Sequence, residues 1–136
     1  MIKAQLKSDW APKTVANFLK YTDDKYFDGT VFHRIIPNFM VQGGGFGEDF
    51  YAGNRNQKSG LMSPIQNEAG VHNAMGTLAM ARTSAPHSAS SQFFINLKDN
   101  PHLDHRNTTN NGYGYAVFGK LLPNQSFINQ LTTIPV

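Results

Sequence analysis

The sequence predicts one mainly β domain, a β-barrel or sandwich with helical plugs. Three observations carry this. Six segments of strand length are β-branched, aromatic or alternating in character and are bounded by Gly, Pro, Asn and Asp. Only two short segments have helical patterning, and this mix is that of closed or layered β architectures. The 136 residues suffice for one domain, 1–136, that buries roughly two thirds of its unfolded surface, and not for two.

The elements follow in order. Residues 2–7 alternate Ile2, Ala4 and Leu6 with Lys3, Gln5 and Lys7, the pattern of a half-buried strand. Pro12 suits the first turn of a helix, where its missing N–H costs nothing. Val15, Phe18, Leu19 and Thr22 fall on one face of a helix over 12–22. Asp23-Asp24 and Asp28-Gly29 punctuate its exit. Residues 30–36 form a second strand, and Pro37-Asn38 makes a turn. The strand resumes over 39–42, and Gly43-Gly44-Gly45 ends it. Residues 47–63 are polar and rich in Gly and Asn and read as a long loop. Strands over 78–81 and 92–97 flank a Thr/Ser/Ala/Pro loop over 83–91. A loop dense in Asn and His covers 100–114. A strand over 115–122 and a short helix over 124–131 come last. Long loops inside a compact domain are usually functional or disordered.

Composition excludes several classes. Apolar residues make up 40% and charged residues 15%, so the chain is neither a disordered polyelectrolyte nor a coiled coil. No apolar run approaches the ~18 residues of a membrane span. The absence of cysteine excludes a disulfide framework, Cys-ligated zinc, iron–sulfur chemistry and a cysteine nucleophile. Twelve Lys and Arg against nine Asp and Glu give +3. These charges are scattered, which favours an ordinary solvated surface over a nucleic-acid or membrane surface. Met1-Ile2-Lys3 leads straight into an alternating segment with no signal peptide visible. The expected compartment is the cytoplasm, with the periplasm as the alternative if an export signal is missing from this chain.

Most constellations that could carry chemistry fail on detail. Gly43 to Gly47 has no G-x-G-x-x-G register, no Gly-Lys-Ser/Thr and no helix behind it. A strand end with close backbone approach fits better. Ser88, Ser90 and Ser91 lie near His87 without a nucleophile elbow. His102, Asp104 and His105 offer metal ligands at no recognised spacing, on an Asn-rich loop. The strongest segments are Phe32 to Gly44 and Ser91 to Ile95. Strand periodicity puts Met40 with Gln42, and Gln92 with Phe94, on shared faces. On spacing alone, the plainer reading is favoured: core Met40 and Phe94, and surface glutamines.

Phe32-His33-Arg34-Ile35-Ile36-Pro37-Asn38-Phe39-Met40-Val41-Gln42-Gly43-Gly44 resembles the cyclophilin signature. Gly76 to Arg82 followed by Ser91-Gln92-Phe93-Phe94-Ile95-Asn96 resembles a second signature of that family. Tyr115 to Lys120 is similar to its late strand, and Ala11 to Phe18 to its first helix. Ala81-Arg82-Thr83 and Ala85-Pro86-His87-Ser88 are most similar to the bacterial branch. The resemblance covers nearly the whole chain in order.

It implies a cyclophilin-like antiparallel β-barrel with two short capping helices. It also implies a peptidyl-prolyl cis–trans isomerase that assists protein folding with no metal or cofactor. Proline-containing peptides and unfolded proteins would be its partners. Arg34 would be the catalytic residue. Phe39, Met40, Phe94 and Leu103 would hold the proline ring, and Gln42 a substrate carbonyl. Ala81, Arg82 and Gln92 would line the groove for the residues before proline. His102 stands where the eukaryotic pattern has the Trp that grips cyclosporin, which implies weak cyclosporin binding. Tyr115 stands where that pattern has His, and His102 and Tyr115 would both contact the substrate. Residues 2–7 align with the family's second strand, and the chain stops soon after its second helix. The family's first and last strands therefore lack counterparts, and the expected barrel is open along that seam. A non-catalytic proline-peptide-binding or chaperone module with the same groove is the alternative function.

Overall fold

A computed structural model describes residues 2–123. The helix expected over 124–131 lies outside them. Six strands form one antiparallel sheet: β1 (Ala4–Leu6), β2 (Thr30–Ile36), β3 (Met40–Gly47), β4 (Thr77–Met80), β5 (Phe93–Asn96) and β6 (Val117–Leu121). Their spatial order is β1-β6-β4-β5-β3-β2. Among the described residues β1 and β2 do not pair with each other, so the sheet is open between them. Helix α1 (Pro12–Asp23) packs on the sheet, and single 3₁₀ turns lie at Glu48–Phe50 and Pro101–Leu103.

Period-two alternation divides the apolar residues between two faces. Val41, Leu78, Met80, Ile95 and Phe118 pack under α1 with Ala11, Val15 and Phe18. Their sequence neighbours Met40, Ala79, Phe94 and Val117 face the other way. There they pack with Trp10, Ile36, Phe39, Leu103 and Tyr115. The expected pairing of Met40 with Gln42, and of Phe94 with Gln92, on one face is what this alternation produces.

Three expectations need correction. The first concerns β3, which does not end at Gly43 but runs through the glycines to Gly47, opposite Thr30. Glycine permits this because neighbouring side chains occupy the space a Cβ would take. A Cβ at Gly43 would lie 2.7 Å from the Phe32 ring. The ladder absorbs the resulting irregularity in two register shifts, between Thr30 and Phe32 and between Phe32 and Arg34.

The second concerns the inner face of α1. The helical period is right, but the phase is displaced by one position. Leu19 is 45% exposed, and Thr22 also faces solvent. Thr14, Val15, Asn17 and Tyr21 are the buried residues. The polar pair is satisfied inside: Asn17 Nδ2 donates to the Ser90 carbonyl at 2.8 Å, and Thr14 donates to Glu68. Tyr21 packs on the Tyr26 ring and accepts from the Met62 N–H at 2.9 Å. The third is β1, an edge strand in which only Leu6 packs against the core, while Ile2 stays 42% exposed.

Pro12 occupies the first turn of α1 as expected, but Ala11 has no side-chain acceptor for the cap. Glu68 supplies one from a distant loop. Its Oε1 accepts from the Thr14 N–H at 2.6 Å and the Thr14 hydroxyl at 2.8 Å. A carboxylate there also complements the positive end of the helix. Glu68→Ala is expected to lower stability by about 0.5–2 kcal/mol, the range for losing a cap. Glu68→Gln, which keeps an acceptor, should cost less. Urea denaturation reads both, and an unchanged midpoint in Glu68→Ala would show that the cap contributes nothing.

Candidate active site

The site starts from one rung of the sheet. Arg34 on β2 lies directly opposite Gln42 on β3, Gln42 opposite Phe94 on β5, and Phe94 opposite Ala79 on β4. Residues opposed in this way project to the same face. A guanidinium, an amide and an aromatic ring therefore stand side by side on rigid strands. The next rung adds Met40, between Ile36 and Asn96. The hairpin that sets this register turns at Pro37-Asn38, as the sequence predicts. Asn38 has φ +60°, and the Phe39 N–H donates to the Ile36 carbonyl at 3.1 Å. Proline at the first turn position and a positive φ at the second suit such a turn.

Arg34, Phe39, Met40, Gln42, Ala81, Arg82, Phe94, Leu103 and Tyr115 line one cavity of about 160 Å³. A cavity of about 150 Å³ lined by apolar side chains holds a benzene molecule, so a pyrrolidine ring fits. Phe94 is 4% exposed and meets Tyr115 edge to face at 5.7 Å. A second cavity of about 220 Å³ adjoins it and shares Gln42, Ala81 and Arg82. Gln92 lines this second cavity, and Gln42 Nε2 donates to Gln92 Oε1 at 2.8 Å where the two meet. His102 lines neither. It is exposed and stacks on Phe39, with ring centroids 5.6 Å apart.

The two arginines differ in how their donors are used. Arg82 is committed to backbone carbonyls: Nε to Gly114, one terminal nitrogen to Thr83 and Ser84, the other to Asn110. It also lies over the Tyr115 ring at 4.7 Å. Among the described residues Arg34 makes no hydrogen bond and no ion pair, so its donors are available to a ligand. His33, next to it, packs edge-on against both the Phe46 and Phe50 rings, which also touch each other. Burial, and then the Arg34 charge, hold its pKa below 6.5. Its Nδ1 is buried without a partner.

The sequence did not reveal the polar layer behind the cavity. Asn73, Asn96 and Asn100 are fully buried. Asn96 Nδ2 donates to Asn73 Oδ1 and Thr77 Oγ1, and Asn100 Nδ2 donates to Asn96 Oδ1 at 2.9 Å and to the Phe39 carbonyl at 3.0 Å. Asn73 Nδ2 reaches the Leu103 carbonyl and Asp104 Oδ1, and Asp104 Oδ2 meets His72 Nδ1 at 2.5 Å. The Tyr115 N–H donates to the Leu103 carbonyl at 2.9 Å. The network thus fixes the backbones that carry Phe39, Leu103 and Tyr115. An asparagine within the apolar stretch of β5 is the one sequence signal that points to it.

The discarded candidates also find their places. Ser88 and Ser90 line the second cavity, and Ser88 Oγ is bound to Thr83 and Ala85 rather than to a histidine. Gln57 and Thr83, which the sequence did not single out, line it as well. Asp104 is occupied by His72 and Asn73, and His105 by the Tyr113 carbonyl at 2.7 Å. Among the described residues no group of three His, Asp or Glu could hold a metal ion.

Comparison with known proteins agrees with this geometry. The family model for cyclophilin-type peptidyl-prolyl cis-trans isomerases matches residues 1–136. A peptidyl-prolyl cis-trans isomerase of Streptomyces antibioticus is 49% identical over 132 residues, which cover 96% of this chain and 76% of that protein. Peptidyl-prolyl cis-trans isomerase B of Escherichia coli is 43% identical over 125 residues, covering 90% of this chain and 73% of its own length. A crystal structure of a cyclophilin-type isomerase from Cryptosporidium parvum, obtained in the presence of the dipeptide Ala-Pro, superposes with a TM-score of 0.75 at 28% identity. It covers 98% of this chain and 80% of that one. The open antiparallel sheet, the cavity on its outer face and these relatives converge, and the chain belongs to the cyclophilin-type peptidyl-prolyl cis–trans isomerases.

Proposed function

We propose that Arg34 catalyses rotation about Xaa–Pro bonds held across the cavity, with flexible or unfolded chains as substrates. The observation that supports this reading is the free guanidinium of Arg34, facing an apolar ring pocket on the rung that also carries Gln42. Rotation of an Xaa–Pro bond faces a barrier of about 18–20 kcal/mol because the amide has partial double-bond character. Uncatalysed exchange takes about 10–100 s. An acceleration of about 10⁵ requires lowering the barrier by about 7 kcal/mol.

Twisting the amide out of plane localises a lone pair on the prolyl nitrogen. A guanidinium donor meets that lone pair and interacts more weakly with the planar ground state. This difference is what accelerates the reaction. Phe39, Met40, Phe94 and Leu103 grip the ring, and Gln42 holds a carbonyl of the peptide. The second cavity takes the residues before proline, so only the bond between the two cavities turns.

Arg34→Ala is expected to lower turnover by about 10²- to 10³-fold, the usual consequence of removing a transition-state donor. Peptide affinity should persist, because the ring pocket and groove remain. NMR exchange spectroscopy on an Ala-Pro peptide reads turnover, and titration reads affinity. Unchanged turnover would overturn the role of Arg34.

No proton is transferred, so the rate is expected to be flat from about pH 6 to 9. The histidines have opposite signs. The His33 pKa is lowered, so its contribution to stability is present above 6.5 and is lost as pH falls through its folded value. The His72 pKa is raised, first by its hydrogen bond to Asp104, so its contribution is present below 6.5 and is lost as pH rises through its folded value. His72 lines neither cavity and reaches the site only through Asp104 and Asn73, so its titration is expected to change turnover little. A bell-shaped rate profile centred near a histidine pKa would count against the scheme.

Cyclosporin is expected to bind weakly, with a dissociation constant above about 1 μM, or less than about 8 kcal/mol of binding free energy. His102, in place of the Trp of the eukaryotic pattern, is exposed and already stacked on Phe39. Titration calorimetry giving submicromolar affinity would refute this.

A further inference from the structure

We propose that the active site, rather than the fold, requires glycine at position 45, and that Gly45 is a positioning residue acting through Gln92. The three consecutive glycines of β3 differ in what a Cβ would meet. At Gly43 it would strike the Phe32 ring at 2.7 Å and approach the Val31 carbonyl at 3.2 Å. Gly44 has φ +88° and would bring a Cβ within 2.9 Å of the Ser91 carbonyl. Backbone shape and aromatic packing therefore demand glycine at both. Gly45 has no positive φ, and its three nearest obstacles all belong to one flexible side chain: Gln92 Cγ at 2.6 Å, Cδ at 2.8 Å and Nε2 at 2.9 Å.

A methyl group at 45 therefore leaves the strand intact and evicts Gln92. The displaced amide has somewhere to go, because Gln92 lines the cavity of about 220 Å³. Moving there breaks the 2.8 Å hydrogen bond from Gln42 and takes up room meant for the residues before proline. Gly45 is itself fixed, since its carbonyl accepts the Lys58 N–H at 2.8 Å. The strand cannot retreat to make room, so the glutamine must move.

The proposal rests on the isomerase reading of the two cavities, and its test separates the two. In the full chain, Gly45→Ala is expected to raise KM about five- to tenfold, the scale of one lost buried hydrogen bond, while kcat changes little. The thermal midpoint should change little, because alanine restricts the unfolded chain and this offsets the lost Gln42–Gln92 hydrogen bond. In a Gln92→Ala background the same substitution should raise KM no further, since the colliding side chain is gone. Wild-type KM in Gly45→Ala, or an equal further rise in the Gln92→Ala background, would overturn the proposal. If Gly45→Ala fails to fold, whether or not Gln92→Ala restores folding, the fold itself requires the glycine and the proposal is overturned. If the wild-type chain does not accelerate exchange, the isomerase reading fails. The Gly45 proposal is then judged on peptide dissociation constants measured by NMR titration.

Discussion

In an antiparallel sheet, sliding a strand by one residue turns all of its side chains to the other face. The register of β3 between β2 and β5 is therefore the constraint on which the rest of the structure depends. With Gln42 opposite both Arg34 and Phe94, the cavity side receives a guanidinium, an amide and two apolar walls. Shifted by one, it would receive Val41, and Met40 would enter the core under α1. Two devices hold the register. The Pro37-Asn38 turn closes the hairpin at one end. Burial of Val41 on β3 and Ile95 on β5, packed with Leu78 on β4 and Phe118 on β6 at 5% exposure or less, ties the sheet to the helix side. Each such side chain contributes roughly 1.5–3 kcal/mol when fully buried, so a slip that exposed several would cost an amount comparable with a domain's usual net stability of about 5–15 kcal/mol.

The asparagine layer is the second support, and its energetics differ in kind. A buried amide without partners costs about 1–3 kcal/mol, whereas a satisfied one contributes about 0.5–1.5 kcal/mol net. Such a layer adds little stability and instead fixes geometry. Asn100 binds the Phe39 carbonyl and Asn73 the Leu103 carbonyl, so the two side chains that flank the ring pocket hang from one hydrogen-bonded unit. Among the described residues Asn100 Oδ1 is buried without a partner, and that oxygen is the weak point of the layer. Removing any one asparagine would strand the partners of the others, so the three act together.

Residues near one another in a strand were legible in the sequence, and residues brought together by folding were not. Period two correctly put Met40 with Gln42 and Gln92 with Phe94. Spacing alone left them as core residues and surface glutamines, and only the family resemblance gave them roles. The glycine run was misread as a strand end. Close backbone approach is legible in the sequence, whereas the continuation of β3 through the glycines, beside Phe32, Phe93 and Gln92, shows only in the fold. The inner face of α1 was displaced because Thr14 and Asn17 read as polar. Their partners, Glu68 and the Ser90 carbonyl, lie 54 and 73 residues away. The same distance in sequence hid the asparagine layer. No local pattern distinguishes an amide that will meet its partners across the fold from one that faces water.

The contrast between the arginines follows from desolvation. A guanidinium buried in the free enzyme without a partner would cost several kcal/mol, and one paired to a carboxylate would have to break that pair to act. Arg34 avoids both by sitting on edge strand β2, exposed and without a bond to break. In the proposed role, water would solvate it until a peptide arrives, and the peptide would then exclude that water. Interactions at the guanidinium strengthen as the local dielectric falls, at the stage when the lone pair develops. Arg82 is tied to carbonyls on both sides of the groove and builds the wall instead. An edge position would be a liability for most polar site residues. In the role proposed for Arg34, which transfers no proton and must not bind the planar ground state too well, an edge position would let full donor strength appear only when the bond is twisted.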